Sequence, residues 1–257
     1  MLKAILWDVD GTLAETERDG HRVAFNRAFE SLGLPWRWDV ARYGELLRVS
    51  GGRERLLHDM ADRTDAPVLA GERLALARCI HERKNAHYAG LVAAGAVVLR
   101  PGVRGLLRAI GQRGLRMGIA STTSRSNVDA LLRAQIGDDW AREFAVVVCG
   151  EDTQRKKPDP EVYQRALDAL GIRALEALAI EDSPGGAAAA RAADVPVLVA
   201  RSAYFATDPI DGAVAIGPGL DDRTRWRPPP PHSAAAAVSL DDLIDWHRRM
   251  ELVSQHG

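Results

Sequence analysis

MLKAILWDVDGTL, residues 1–13, decides the fold. A short, mostly apolar run, Leu2–Trp7, ends abruptly at Asp8 and Asp10, and Gly11 turns the chain. That is the signature of a buried strand delivering carboxylates at its end. Four further runs read as strands: Leu115–Ala120, Ala145–Val148, Leu175–Ile180 and Val195–Val199. Helical patterns at Arg104–Arg113, Asn127–Gln135, Pro160–Leu170 and Gly185–Ala193 alternate with them. This βαβαβ rhythm predicts an α/β fold, a doubly wound parallel sheet with helices on both faces.

One region breaks the rhythm. Between Glu15 and Val92 there is no strand pattern, only helix-like stretches at Gly20–Leu32, Val40–Leu47, Arg53–Arg63 and Val68–Tyr88. The expected organisation is an α/β core over 1–14 and 95–257, with an α-helical cap domain inserted at 15–94. Residues 217–237 include four consecutive prolines, Pro228–Pro231, which exclude helix and central strand and read as a surface loop within the core's C-terminal part. Ser239 reads as the N-cap of a last helix, Leu240–Met250, with Asp241 and Asp242 in its first turn.

Composition narrows the function classes. Lys+Arg 34 against Asp+Glu 35 gives a net charge of -1, so no global electrostatic drive toward nucleic acid exists. No apolar run is long enough to span a bilayer, and the first strand is too interrupted for a signal peptide. A cytoplasmic monomer is expected. Cys79 and Cys149 lack metal or disulfide spacing and are expected to be buried free thiols. Lysine is scarce, with only Lys3, Lys84, Lys156 and Lys157, so the adjacent pair asks for a reason.

Ligands of open parallel sheets sit beyond the carboxyl ends of the strands. Successive strand ends carry Asp8 and Asp10; Ser121, Thr122 and Thr123; Lys156 and Lys157; and Glu181, Asp182 and Ser183. Singly, each has a structural reading: loop aspartates, helix caps, an exposed turn. Together and in order they form an inventory for phosphoryl transfer. One Asp can attack phosphorus, hydroxyls and a Lys can hold the phosphoryl oxygens, and crowded carboxylates call for a hard cation such as Mg²⁺. A second Asp two residues on can move the proton.

These residues resemble the haloacid dehalogenase superfamily: DVDGT at Asp8–Thr12, Ser121, Lys157 in KKPDP, and Glu181–Asp182 in EDS. The helical insertion after the first motif is similar to the cap of that superfamily's phosphatase and β-phosphoglucomutase branch. TERDGHRVAFN at Thr16–Asn26, WDVARYGELL at Trp38–Leu47 and GGRERL at Gly51–Leu56 resemble the CbbY-type sugar-phosphate phosphatases. That family is associated with removing the 1-phosphate of xylulose 1,5-bisphosphate, an inhibitor of the carbon-fixing enzyme Rubisco.

The resemblance implies roles. Asp8 would be the nucleophile and Asp10 the general acid/base. Mg²⁺ would take Asp8, the Asp10 carbonyl, Asp182 and Glu181. Ser121, Thr122, Lys157 and Asn127 would hold the transferring phosphate. Glu17 and Tyr43 would meet sugar hydroxyls, and Gly52 and Arg53 the second phosphate, with Arg55 and His21 beside them. A small sugar (bis)phosphate is the implied partner. Three features depart from the pattern: Arg53 stands where relatives carry Lys, Gly185 replaces an amide side chain in EDSPGG, and the proline-rich segment has no counterpart.

The alternatives are a phosphoglucomutase-like transferase with the same nucleophile, a dehalogenase, a phospho-accepting signalling domain and a catalytically idle binding protein. Asp10 is superfluous for halide displacement. A signalling domain needs no helical insertion and about half this length. The intact set of Asp8, Asp10, Lys157 and Asp182 argues against an idle protein.

Overall fold

The computed structural model describes residues 1–230 and 235–254, the last four by backbone alone. Pro231, the end of the proline run, lies outside the described residues. Six strands form one parallel sheet in the order β3-β2-β1-β4-β5-β6. They are β1 (Ala4–Trp7), β2 (Arg116–Ala120), β3 (Val146–Val148), β4 (Ala177–Glu181), β5 (Val197–Ala200) and β6 (Ala215–Gly217). The doubly wound parallel sheet is present. β6 is an addition to the five expected strands: three residues are too few to show a hydrophobic period. β4 starts at Ala177 because Ala174–Glu176 winds into a 3₁₀ turn.

Helices α5 (Val103–Gln112), α6 (Arg125–Ile136), α7 (Glu161–Leu170), α8 (Pro184–Ala192) and α9 (Leu240–Ser254) complete this layer set, after α1–α4 described below. Two apolar clusters sandwich the sheet. Ile5, Trp7, Ile119 and Ile180 lie in one, and Leu6, Ala120, Val162 and Val199 in the other. Alternate residues of β1 thus point to opposite faces, and both faces are covered.

Ser239 caps α9 as expected: its Oγ accepts from Asp242 N at 3.2 Å, while the Asp242 carboxylate accepts from Ser239 N at 2.9 Å. The described part of the proline-rich segment folds back on the core. Trp226 is fully buried and stacks on Trp246 of α9 with ring centroids 4.9 Å apart.

Between β1 and β2 runs the helical segment. A π-helical turn at Glu17–His21 leads into α1 (Arg22–Ser31), followed by α2 (Val40–Leu46), α3 (Gly52–Ala61) and α4 (Ala70–Ala93). It has its own aromatic core, including Phe25, Phe29, Trp36, Trp38 and Tyr43. α4 starts later and runs further than the Val68–Tyr88 pattern, because Val68 and Leu69 are exposed and outside the helix while Leu91 and Val92 are buried. One expectation fails on α4: Cys79 is exposed, since the helix buries the row Ala77, Ile80, Lys84 and Tyr88 and Cys79 lies off it, and of the two cysteines only Cys149 is buried. Among the described residues no helix is long and apolar enough to cross a membrane.

Candidate active site

The parallel register brings the strand ends to one level. Trp7 sits opposite Ile119 on one side and Ile180 on the other. Asp8 N then donates to Ile180 O at 3.0 Å, and Ser121 N to Val148 O at 3.0 Å. So Asp8, Ser121 and the pair Glu181–Asp182 emerge side by side. Gly11 is required where the chain turns: its φ is +86°, and a Cβ there would come within 2.2 Å of Asp182 Oδ2.

Asp8 Oδ1 accepts from Lys157 Nζ at 2.7 Å and from Ser121 Oγ at 3.1 Å. Lys157 also donates to Glu181 Oε1 at 2.6 Å, and the Tyr163 hydroxyl donates to the same oxygen. All four groups around Lys157 are buried. Asp10 points elsewhere. Its Oδ1 accepts from Thr16 Oγ1 at 2.6 Å and pairs with His21 Nε2 at 2.9 Å. The two aspartates of the first motif therefore have separate surroundings.

Their proton affinities diverge accordingly. Burial pushes Asp8 up to about 7, Glu181 adds to the rise and Lys157 opposes it. Burial also acts to raise Asp10, but the charge and hydrogen bond of His21, with the Thr16 hydroxyl, hold it well below the usual carboxylate range. Burial and the neighbouring Asp8 and Glu181 charges raise Asp182 well above its ordinary value. Burial works against the charged form of Lys157, yet Asp8 and Glu181 leave it raised.

Asp8, Glu181 and Asp182 each offer an oxygen, and the three atoms lie within 4.8 Å of one another. An all-oxygen, desolvated carboxylate set fits a hard divalent cation such as Mg²⁺. Glu181 presses against Gly186, where a Cβ would come within 1.9 Å of its Oε2, so the second glycine of SPGG is needed there. Ser183 accepts from Gly186 N at 3.1 Å and starts α8 with Pro184 at the first turn.

A small cavity of ≈ 60 Å³ holds Asp8, Ser121, Lys157, Glu181 and Asp182. It adjoins a larger one of ≈ 310 Å³, and the two share Asp10, Glu17, Gly51, Arg55 and Thr122. The larger cavity also reaches Gly52, exposed Arg53 and buried Asn127, whose Nδ2 donates to Thr123 Oγ1 at 3.3 Å. Tyr43 lines neither cavity. It is fully buried, donates its hydroxyl to Glu17 and accepts from Arg55 Nη1 at 2.8 Å. Of the expected residues, the structure gathers all around this space except Tyr43, which stands one layer behind Glu17.

Sequence reasoning missed His81 and Lys84 of α4. Both line the larger cavity. Burial, with Lys84 and Arg53 nearby, lowers His81 to about 3, and burial lowers Lys84 to about 8. Lys84 is 3% exposed; it donates to Asn85 Oδ1 at 3.3 Å, and among the described residues no carboxylate lies in ion-pair reach. A signal existed. Three of the four lysines, Lys84, Lys156 and Lys157, line these two cavities, so scarcity pointed to more than the adjacent pair.

The model of the haloacid dehalogenase-like hydrolases matches residues 2–194. Protein CbbY, plasmid, of Cupriavidus necator is 43% identical over 251 residues, spanning 96% of this chain and 97% of that protein. Protein CbbY of Rhodobacter capsulatus is 40% identical over 242 residues, 94% of this chain and 99% of that one. A crystal structure of CbbY from Rhodobacter sphaeroides in complex with xylulose-(1,5)bisphosphate superposes with a TM-score of 0.79 at 38% identity, covering 85% of this chain and 95% of that one.

Proposed function

The chain belongs to the haloacid dehalogenase-like hydrolases and is a phosphatase; from that premise we propose that it is a Mg²⁺-dependent sugar-bisphosphate phosphatase that removes the 1-phosphate of xylulose 1,5-bisphosphate through an aspartyl-phosphate. One observation carries this reading: a small carboxylate–lysine pocket at Asp8 adjoins a cavity lined by Arg53, Arg55 and Lys84. Such a space has a reacting end and a separate anion-binding end. The similar structure that holds xylulose-(1,5)bisphosphate supports the choice of sugar.

In this reading the segment 15–94 is a cap over the core formed by 1–14 and 95–257. The Asp8 carboxylate attacks phosphorus, and the bond to the sugar oxygen breaks. Asp10 protonates that leaving oxygen. Water then attacks the aspartyl-phosphate, Asp10 takes its proton, and inorganic phosphate leaves with the Asp8 carboxylate restored. The free site holds Asp10 as a carboxylate, the form the second step needs. An arriving phosphate anion favours its protonation for the first.

Ser121, Thr122 and Lys157 hold the phosphoryl oxygens, with Asn127 bracing Thr123 beside them. Asp8, Asp182 and the Asp10 carbonyl would hold Mg²⁺, with Glu181 as a further carboxylate beside them. Bound Mg²⁺ supplies charge neutralisation between the carboxylate and the phosphoryl group. Glu17 meets a sugar hydroxyl, Tyr43 fixes Glu17, and Gly52 with Arg53 takes the second phosphate. Arg in place of Lys there keeps the charge and adds a fork for bidentate contact.

The test is a phosphate-release screen across sugar mono- and bisphosphates, with and without Mg²⁺. Fastest release from xylulose 1,5-bisphosphate, abolished by chelation, is expected. An isomerised sugar phosphate without free phosphate overturns hydrolysis in favour of a mutase.

A further inference from the structure

The core meets the helical segment at a second place, remote in sequence from the two linkers. The linkers themselves run together, with an antiparallel bridge between Ala14 and Leu99. Arg100 ends the returning linker and donates to the carbonyls of Gly11, Ala200, Arg201 and Pro218. One guanidinium thus ties that linker to the loop after β5. Ala203 N of the same loop donates to Glu15 Oε1 on the outgoing linker at 3.3 Å.

From this loop Tyr204 and Phe205 leave the core and pack into the aromatic cluster of α1–α4. Tyr204 meets Tyr43 edge-on, with ring centroids 5.9 Å apart and planes inclined by 60°. It lies over Gly44, where a Cβ would come within 3.1 Å of the ring. Tyr43 is the residue that holds Glu17. Phe205, with Leu47 of the cap side, walls the small cavity that contains Asp8. The core therefore grips the helical segment through two rings, Tyr204 behind Tyr43 and Phe205 at the wall of the small cavity.

We propose that Tyr204 and Phe205 are specificity-determining residues: a latch that holds the helical segment shut over the core and so makes Glu17 and Arg53 available to the substrate. The selectivity part rests on the sugar-phosphatase reading; the closure part does not. Asp8 and Lys157 belong to the core side, whereas Asp10 is held by Thr16 and His21 of the helical segment, so an open latch lowers activity on every ester. The sugar loses more, because it also loses the cap-side groups that a featureless aryl phosphate does not use. Apolar rings half-buried between two bodies favour closure, and lids of this kind select substrates by what they bring to the site.

The experiment compares wild type with the double variant Tyr204→Ala, Phe205→Ala, and with Tyr204→Phe and Gly44→Val. kcat and KM are measured for xylulose 1,5-bisphosphate and for p-nitrophenyl phosphate, and small-angle scattering is recorded without substrate. The double variant is expected to lose roughly tenfold more kcat/KM on the sugar than on the aryl ester, chiefly through KM for the sugar. Its radius of gyration should rise. Gly44→Val crowds the junction from the other side and should act in the same direction. Among the described residues the buried Tyr204 hydroxyl has no hydrogen-bond partner, so Tyr204→Phe should keep wild-type selectivity. Equal losses on both substrates, or an unchanged selectivity ratio, overturn the specificity role. An unchanged radius overturns the latch. A wild type inactive on every sugar phosphate sinks the substrate reading and leaves the scattering to decide closure.

Discussion

Lys157 Nζ lies 2.7 Å from Asp8 Oδ1 and 2.6 Å from Glu181 Oε1, bridging two carboxylates that adjacent parallel strands deliver. The cation is buried with both partners, so removing it leaves two carboxyl groups crowded in a desolvated place without their counter-ion. Lys157→Met is expected to cost on the order of 3 kcal/mol of stability in the metal-free protein, with turnover lost as well. Thermal and urea unfolding with chelator present measure the first effect, and phosphate release the second. A variant as stable as wild type would mean that Lys157 does not neutralise this pair.

Asp8→Asn removes the nucleophile and also a buried carboxylate. Turnover should fall by roughly 10⁴ or more, while the melting temperature of the metal-free protein stays level or rises. Retained phosphate release above a thousandth of wild type contradicts the assignment of Asp8.

The pH dependence of the chelated protein has a definite sign. Asp8 is raised from 3.8 to about 7, so in the folded state it keeps a proton that the unfolded chain has released. Its contribution to stability is complete below about pH 4 and fades as pH rises to about 7. Asp182 shifts the same way, and the opposite shift of Asp10 acts below this window. His81, lowered from 6.5 to about 3, acts the opposite way across the same range. The Asp8 part is therefore read as the wild-type melting temperature minus that of Asp8→Asn. In chelator this difference should fall from about pH 4 to about pH 7, and Mg²⁺ should restore wild type at pH 7 or above.

Arg53→Ala separates the two ends of the proposed substrate. kcat/KM for the bisphosphate should drop roughly ten- to a hundredfold, and that for a monophosphate by less than about threefold. Parallel kinetics on the two substrates give the ratio. Equal losses would remove Arg53 from recognition of a second phosphate.

Lys84 presents a trade between stability and function. Its buried ammonium lies 5.3 Å from the Phe25 ring centre and 5.4 Å from that of Tyr88, without a carboxylate in ion-pair reach among the described residues. Lys84→Met keeps the stem and drops the charge, so the free protein should melt higher while bisphosphate KM rises about tenfold or more. A lower melting temperature would show that the charge serves the fold instead.

Much of the core was legible because its signals are local. A short apolar run ending in acids reads as a strand delivering them, and DVDGT, Ser121, KKPDP and EDS each follow such a run. β6 and the 3₁₀ turn before β4 were not legible, being only three residues each. Tyr43 shows the limit for single side chains. Its position in the motif placed it with the substrate-facing residues, yet the aromatic core draws it fully inside and leaves only its hydroxyl to act, through Glu17. Lys84 and His81 sit in a helix whose apolar and polar residues are spread round all faces, so a charged residue on the buried row Ala77, Ile80, Lys84, Tyr88 and Leu91 does not stand out from the pattern.

The amino-acid order alone determined the alternation of strands and helices, the helical insertion and the four groups of chemistry-bearing residues, because backbone periodicity and strand-end composition are encoded within a few residues. Only the tertiary structure decided that Asp8 and Asp10 have opposite electrostatic surroundings, that Lys157 is shared between Asp8 and Glu181, and that the loop after β5 reaches Tyr43. Those relations depend on which residues distant in sequence become neighbours and on how much water is excluded when they do, and neither quantity is written in any single stretch of chain.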